Sequence, residues 1–303
     1  MKRREILMAG ILLLCLVLCS CSFRAEEYQI FDTETGGQVS LEELAAKLSD
    51  SEIVLLGEYH GNEKIHRFQA ELIARLHELK PELVISMEMF ERDTQEVLDK
   101  YLEGYIEEEE FIAEARAWNN YRTDYRPIIE YARENDLSVI AANVPRRYAA
   151  DLSRVGLSFM ENIPEEERDY LAGEVIITED EYQERFFETM QFMAHHMNGD
   201  DEESNQRLFN IYAAQSLKDD TMAESIVLFR EKTEEGIVVH LTGDFHIRNR
   251  LGIYTKLKLL DEDLKISSIS PYLVPVGEKY EYSKEFSNIA DYVIVLYDNQ
   301  EQD

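Results

Sequence analysis

The sequence predicts an α/β fold: a mainly parallel central sheet flanked by helices, with a smaller helical subdomain inserted late in the chain. Three observations carry this expectation. Nearly continuous apolar runs recur at 53–56, 83–87, 138–142, 237–242, 265–269 and 292–296, as in strands buried on both faces of a parallel sheet. Amphipathic helical patterns lie between them, the alternation expected of a layered α/β domain. The chain has 303 residues, 45% of them hydrophobic, which suffices for one large core.

The start of the chain stands apart from that pattern. Lys2, Arg3 and Arg4 precede an uncharged apolar run at 6–18, too short to span a bilayer as a helix and suited to a secretory signal over 1–20. Leu18-Cys19-Ser20-Cys21 resembles a bacterial lipobox, with the small Ser20 ahead of Cys21. By that resemblance Cys21 is the lipidated first residue of the mature protein, anchored on the extracytoplasmic side of a membrane. Acyl chains suit that task because each buried methylene adds about 0.8 kcal/mol. Cys15, Cys19 and Cys21 are the only cysteines, so the remaining chain offers no disulfide, cysteine metal cluster or thiol nucleophile. Residues 21–40, with Gly36-Gly37, read as a tether, and 41–303 as the domain.

Within the domain the first strand leads into a helix at 63–79, where Ile65, Phe68, Leu72, Ile73 and Leu76 recur at helical spacing. Helices at 94–101 and 111–118 follow the second strand, and Pro127 opens another at 127–135. From 164 to about 230 no comparable strand signal occurs. That stretch reads as a helical insertion at about 160–203 followed by a long returning helix at 206–230. A net charge of −31 excludes nucleic acid as a partner, because phosphate contacts need a basic surface. The acidic runs at 107–110, 165–167 and 200–203 read as solvated faces and loops.

Ligands of open parallel sheets bind beyond the carboxyl ends of the strands. There the sequence places Glu58 and His60 in "LLGEYHGN", Glu88 in "SMEMF", Asn143 and Arg146 in "NVPRR", Asp244 and His246 in "LTGDFH", and then Pro271-Tyr272. Glycine, acid, aromatic, histidine occurs twice. Acid and histidine two apart point the same way on extended backbone, and the glycine before them lets the chain turn at the sheet edge. If the strands are parallel neighbours, Glu58, His60, Glu88 and His246 form one cluster. Two imidazoles and one or two carboxylates can ligate a divalent metal and leave a position for water, or a carboxylate can orient a histidine as general base without metal. His66 either joins this cluster or faces its own helix; His77, His195, His196 and His240 read as core or surface residues. No H-E-x-x-H, G-x-S-x-G, P-loop or Rossmann glycine pattern occurs.

Taken in order, "LLGEYHGNEKIHRFQAELI", "SMEMFERDTQEVLDKYLEG", "YRPIIEYAREN", "IAANVPRR", "IYAAQSLKDDTMAESI" and "LTGDFHIRNRLGI" resemble the ChaN-type haem-binding uptake proteins across about 40–260. The chain is more distantly similar to the Tiki and erythromycin-esterase-like superfamily, where Gly-x-x-His and glutamate motifs support hydrolysis. The resemblance implies a lipoprotein of the cell envelope, with a parallel α/β core and a smaller helical part, that binds haem in iron supply. It also implies a homodimer and tyrosine-ligated iron, since a phenolate suits ferric iron. Tyr121 and Tyr125 in "WNNYRTDY", beside Trp118, are the candidates for flanking a porphyrin, and Arg146 for pairing with a propionate or a substrate carboxylate. No Cys-x-x-Cys-His signal for covalent haem occurs. A metal-dependent hydrolase using Glu58, His60, Glu88 and His246 is the alternative function.

Overall fold

All six apolar runs become strands of one eight-stranded sheet. The computed structural model describes residues 28–194, 202–232, 236–275 and 281–298. The expected signal at 1–20, Cys21, the first part of the tether and the His195-His196 pair lie outside the described residues. In chain order the strands are β1 (Tyr28–Asp32), β2 (Gln38–Val39), β3 (Ile53–Glu58), β4 (Val84–Glu91), β5 (Val139–Asn143), β6 (Val238–Gly243), β7 (Ile266–Pro275) and β8 (Tyr292–Asp298). Across the sheet they run β2-β1-β8-β7-β3-β6-β4-β5. Strands β3 to β8 are parallel, while β1 pairs antiparallel with β2 and β8. The second half of the expected tether at 21–40 therefore belongs to the sheet. Phe31 is buried against Val274, Phe286 and Val293, so this segment has its own apolar reason to dock.

The helices cover both faces. They are α1 (Leu41–Leu48), α2 (Glu63–Leu79), α3 (Gln95–Leu102), α4 (Glu108–Glu114), α5 (Arg126–Glu134), α6 (Arg146–Val155), α7 (Glu181–Ala194), α8 (Glu202–Arg230), α9 (Ile253–Leu260) and α10 (Phe286–Ile289). Helix α2 has the predicted bounds: Asn62 accepts from the amides of Lys64 and Ile65, and the five predicted apolar residues are buried. Each such buried side chain contributes about 1.5–3 kcal/mol. The stretch expected to hold a helix to Trp118 breaks earlier, at Glu114, and resumes as a π-helical turn at Tyr121–Tyr125. The expected insertion consists, among the described residues, of two 3-10 turns, an extended stretch and α7.

Strand periodicity assigns the two faces. Val54, Leu56, Ile85 and Met87 join α2 and α5 in one core, whereas Leu55, Val84 and Val238 join α8 and α9 in the other. Glu58 continues the first row, and Glu88 continues the row of Val84 on the second. The outer edge of β5 is closed by a side chain that imitates a strand. Gln95 donates to the Val139 carbonyl at 2.8 Å and accepts from the Ala141 amide at 2.7 Å.

Candidate functional site

On the α2 face, Glu58 is 1% exposed and held by three donors. Tyr125 Oη donates to Oε1 at 2.7 Å, Gln69 Nε2 to Oε2 at 2.9 Å, and His60 Nδ1 lies 2.8 Å from Oε1. His66 is buried beside them, with Nδ1 on Gln69 Oε1 at 3.1 Å and Nε2 3.4 Å from Asp124 Oδ2. His66 thus lies behind Glu58, its Nδ1 3.6 Å from Glu58 Oε2. His60 is the accessible member, its side chain 42% exposed. Burial works against the charged imidazole, yet the bond to Glu58 and the charge of Glu88 prevail and raise its pKa above the ordinary value.

On the α8 face, Glu88 Oε2 accepts from Thr242 Oγ1 at 2.7 Å and from the Gly243 amide at 2.8 Å. Its Oε1 lies 3.4 Å from His246 Nε2, while the other ring nitrogen of His246 bonds Asp219. Tyr182 Oη donates to Asp219 Oδ2 at 2.6 Å, and Gln215 reaches both Tyr182 and His246. Burial alone would neutralise His246; flanked by the charges of Glu88 and Asp219, it is instead raised to about 10. Glu88, despite the opposing effect of burial, is held well below the ordinary carboxylate range by His246 and His60. His246 is thus a fixed imidazolium at neutral pH.

The two groups meet across the sheet edge at Gly243. A Cβ built there would stand 2.9 Å from His60 Nε2 and 3.7 Å from Glu88 Oε2, so only glycine lets the ring approach the strand end. The structure thereby unites Glu58, His60, Glu88 and His246 as the spacing predicted. The twin motif is not repeated in space, however. β6 ends at Gly243 and Asp244–His246 form a 3-10 turn, which sends the two side chains apart. Asp244 binds Arg248 at 2.8 Å, and the acids that hold His246 come from β4 and α8.

Trp118 packs edge-on to the His60 ring at 4.9 Å, and the Arg146 guanidinium lies 5.7 Å from the Trp118 ring centroid. Asn143 supports β4 by donating to the Glu88 carbonyl at 3.1 Å. Tyr121 is 1% exposed, packed on Phe90 and Phe111, and Tyr125 is fully buried on Glu58. Burial, joined for Tyr125 by the Glu58 charge, pushes both phenols upward, so they stay protonated and face inward. Neither presents a phenolate to an incoming iron. His240 is a core residue, bonded to Ser86 at 2.8 Å and lowered to about 3 by burial, as its place within a strand suggested.

The metal reading meets a different donor arrangement. The imidazoles and carboxylates are spent on one another, and among the described residues no group of three or more His, Cys, Asp or Glu is placed to hold a metal ion. Sequence reasoning missed Gln69, Asp219, Gln215 and Tyr182. A signal existed: Gln215 and Asp219 stand four apart on α8, a helix that buries Ser216, Asp219, Asp220 and Thr221 amid its apolar residues.

The family described as haem-binding uptake, Tiki superfamily, ChaN matches residues 44–257. The chain belongs to that family. Among solved structures it is similar to ChaN of Campylobacter jejuni with cofacially bound haem, at 20% identity and a TM-score of 0.66, covering 90% of this chain and 98% of that one. A mutant erythromycin esterase EreC in its open conformation is similar at 13% identity and a TM-score of 0.51, covering 84% of this chain and 92% of that one. These likenesses establish the α/β fold. No curated protein matches the chain by sequence.

Proposed function

We propose that the protein is a membrane-tethered haem-binding lipoprotein serving haem or iron uptake, anchored through Cys21. The family match over 44–257 is the observation that carries this reading. The fit to haem divides by residue. Tyr121 and Tyr125 do not fit as iron ligands, because both are buried and held neutral. The outer surface around His60, Trp118 and Arg146 does fit: it combines a half-exposed imidazole, a flat indole and an exposed cation. Haem would bring a redox-active iron; this chain's part is to bind and orient it. Titrating the full chain in detergent with haemin should give a saturable Soret shift at micromolar concentration. Absence of that shift ends the reading. Mass spectrometry of the N-terminal peptide should find acyl chains on Cys21.

A second reading, a hydrolase, is favoured by the carboxylate-held His60. Glu58 on Nδ1 leaves Nε2 as the basic nitrogen at the sheet edge, the arrangement of an oriented general base. The fixed His246 imidazolium would supply positive charge beside it. Ester and lactone hydrolysis by the wild type, abolished in His60→Ala, would establish this function. Equal rates in both proteins would remove it.

A further inference from the structure

The point where the chain enters the sheet decides which edge of the domain a lipid anchor would hold. Strand β1 runs antiparallel to β8, so it enters from the carboxyl edge of the parallel strands, the edge that carries the site. The register gives the level of entry. Tyr28 pairs with Leu296, and Leu296 with Leu273, which stands four residues beyond Ile269, the partner of Leu56. Tyr28 is therefore level with His60, four residues beyond Leu56. Only β8 and β7 lie between β1 and β3, a lateral separation of about 14 Å at three strand spacings. Helix α2 pins this end of β1: Tyr28 Oη donates to Glu71 at 3.2 Å, and the Tyr28 ring packs edge-on to Phe68 at 5.1 Å.

Chain length then limits orientation. Cys21 precedes Tyr28 by seven residues, and their fully extended reach is about 24 Å. A domain of about 270 residues is about 45 Å across. A lipid on Cys21 therefore cannot lead the chain around the domain and set the opposite edge on the membrane.

We propose that the site edge, with His60 and Trp118, faces the bilayer that holds Cys21, and that the partner of this surface is the lipid headgroup layer. The inference rests on the lipoprotein reading and adds an orientation to it. Ligands then reach the site through the gap between domain and lipid, which the seven residues keep within about 24 Å.

The chain's one tryptophan, Trp118, stands beside His60 and serves as the reporter. Full-length lipidated protein is reconstituted into phosphatidylethanolamine–phosphatidylglycerol vesicles that carry a dansyl-labelled headgroup lipid, and energy transfer from Trp118 is measured. A second protein, Trp118→Phe with Leu79→Trp, moves the donor to the exposed end of α2 at the opposite edge. Transfer should be several-fold stronger from Trp118. Inserting about twenty Gly/Ser residues ahead of Tyr28 adds about 25 Å of r.m.s. reach and should lower the Trp118 transfer. Equal transfer from the two positions, or transfer unchanged by the longer tether, in protein whose Cys21 is acylated overturns this inference and leaves the lipoprotein reading standing. A Cys21 without acyl chains overturns both.

Discussion

The two halves of the site differ in exposure and in what their histidines can do. On the α2 face, Glu58 is buried under three donors and hands its orientation to His60, whose ring reaches solvent. On the α8 face, His246 is enclosed between Glu88 and Asp219 and keeps its proton. Similar sequence, glycine, acid, aromatic, histidine, therefore yields a responsive imidazole in one place and a fixed cation in the other. Backbone geometry makes the difference. Where the acid still lies on a strand, as Glu58 does, it meets the histidine two residues on; where a 3-10 turn begins at the acid, as at Asp244, it does not.

Removing Asp219 should expose that difference most strongly. Asp219→Ala leaves a buried imidazolium with Glu88 as its one charged partner and removes the acceptor of the Tyr182 hydroxyl, so stability should fall by about 3–5 kcal/mol in urea denaturation. A loss as small as that of a surface ion pair would mean that the α8 group is not the enclosed charge cluster described. Next in size is the pH dependence. The folded pKa of His246 is raised to about 10, so its contribution is fully present below the unfolded value near 6.5 and is lost as pH rises through 10. Glu88 is depressed, so its contribution is lost as pH falls through its folded value. Stability should decline between pH 7 and 10 by an amount on the order of a few kcal/mol, and His246→Gln should flatten that limb.

Gly243→Ala sharpens the junction between the halves. Its Cβ would sit 2.9 Å from His60 Nε2 and must displace the ring, at a cost of about 1–3 kcal/mol. The His60 pKa should drop toward its ordinary value in an NMR titration, while His246 keeps its proton. The smallest effect on stability belongs to His60→Ala, about 1 kcal/mol, because the His60 ring is half exposed and the buried Glu58 keeps Tyr125 and Gln69 as donors. Function, by contrast, should suffer most there: hydrolysis, if present, should vanish. A stable His60→Ala that retains full hydrolytic activity would show that the exposed half is idle.

Much of this was legible in the sequence because it depends on local pattern. Continuous apolar runs reported the six parallel strands, and their ends placed Glu58, His60, Glu88 and His246 together. β1 escaped because Tyr28–Asp32 is short and lies inside what reads as a tether; its burial depends on β8, at the far end of the chain. Asp219 and Gln215 escaped because they sit on the helix that crosses the other face and meet partners from α7 and the turn after β6, a tertiary fact with only a faint trace in helical spacing. The inward turn of Tyr121 and Tyr125 leaves no such trace, because an aromatic segment does not report which way it faces. The π-helical turn at Tyr121–Tyr125 rolls both rings into the core.

The central claim is that the two histidines of the site are unlike. It is tested most directly by following the ring nitrogens of His60 and His246 with nitrogen-15 NMR from pH 5 to 9, assigned through His60→Ala and His246→Gln. The account predicts that His246 stays doubly protonated across the range and that His60 titrates above 6.5. Two histidines that titrate together, or a His246 that loses its proton near 6.5, would contradict it.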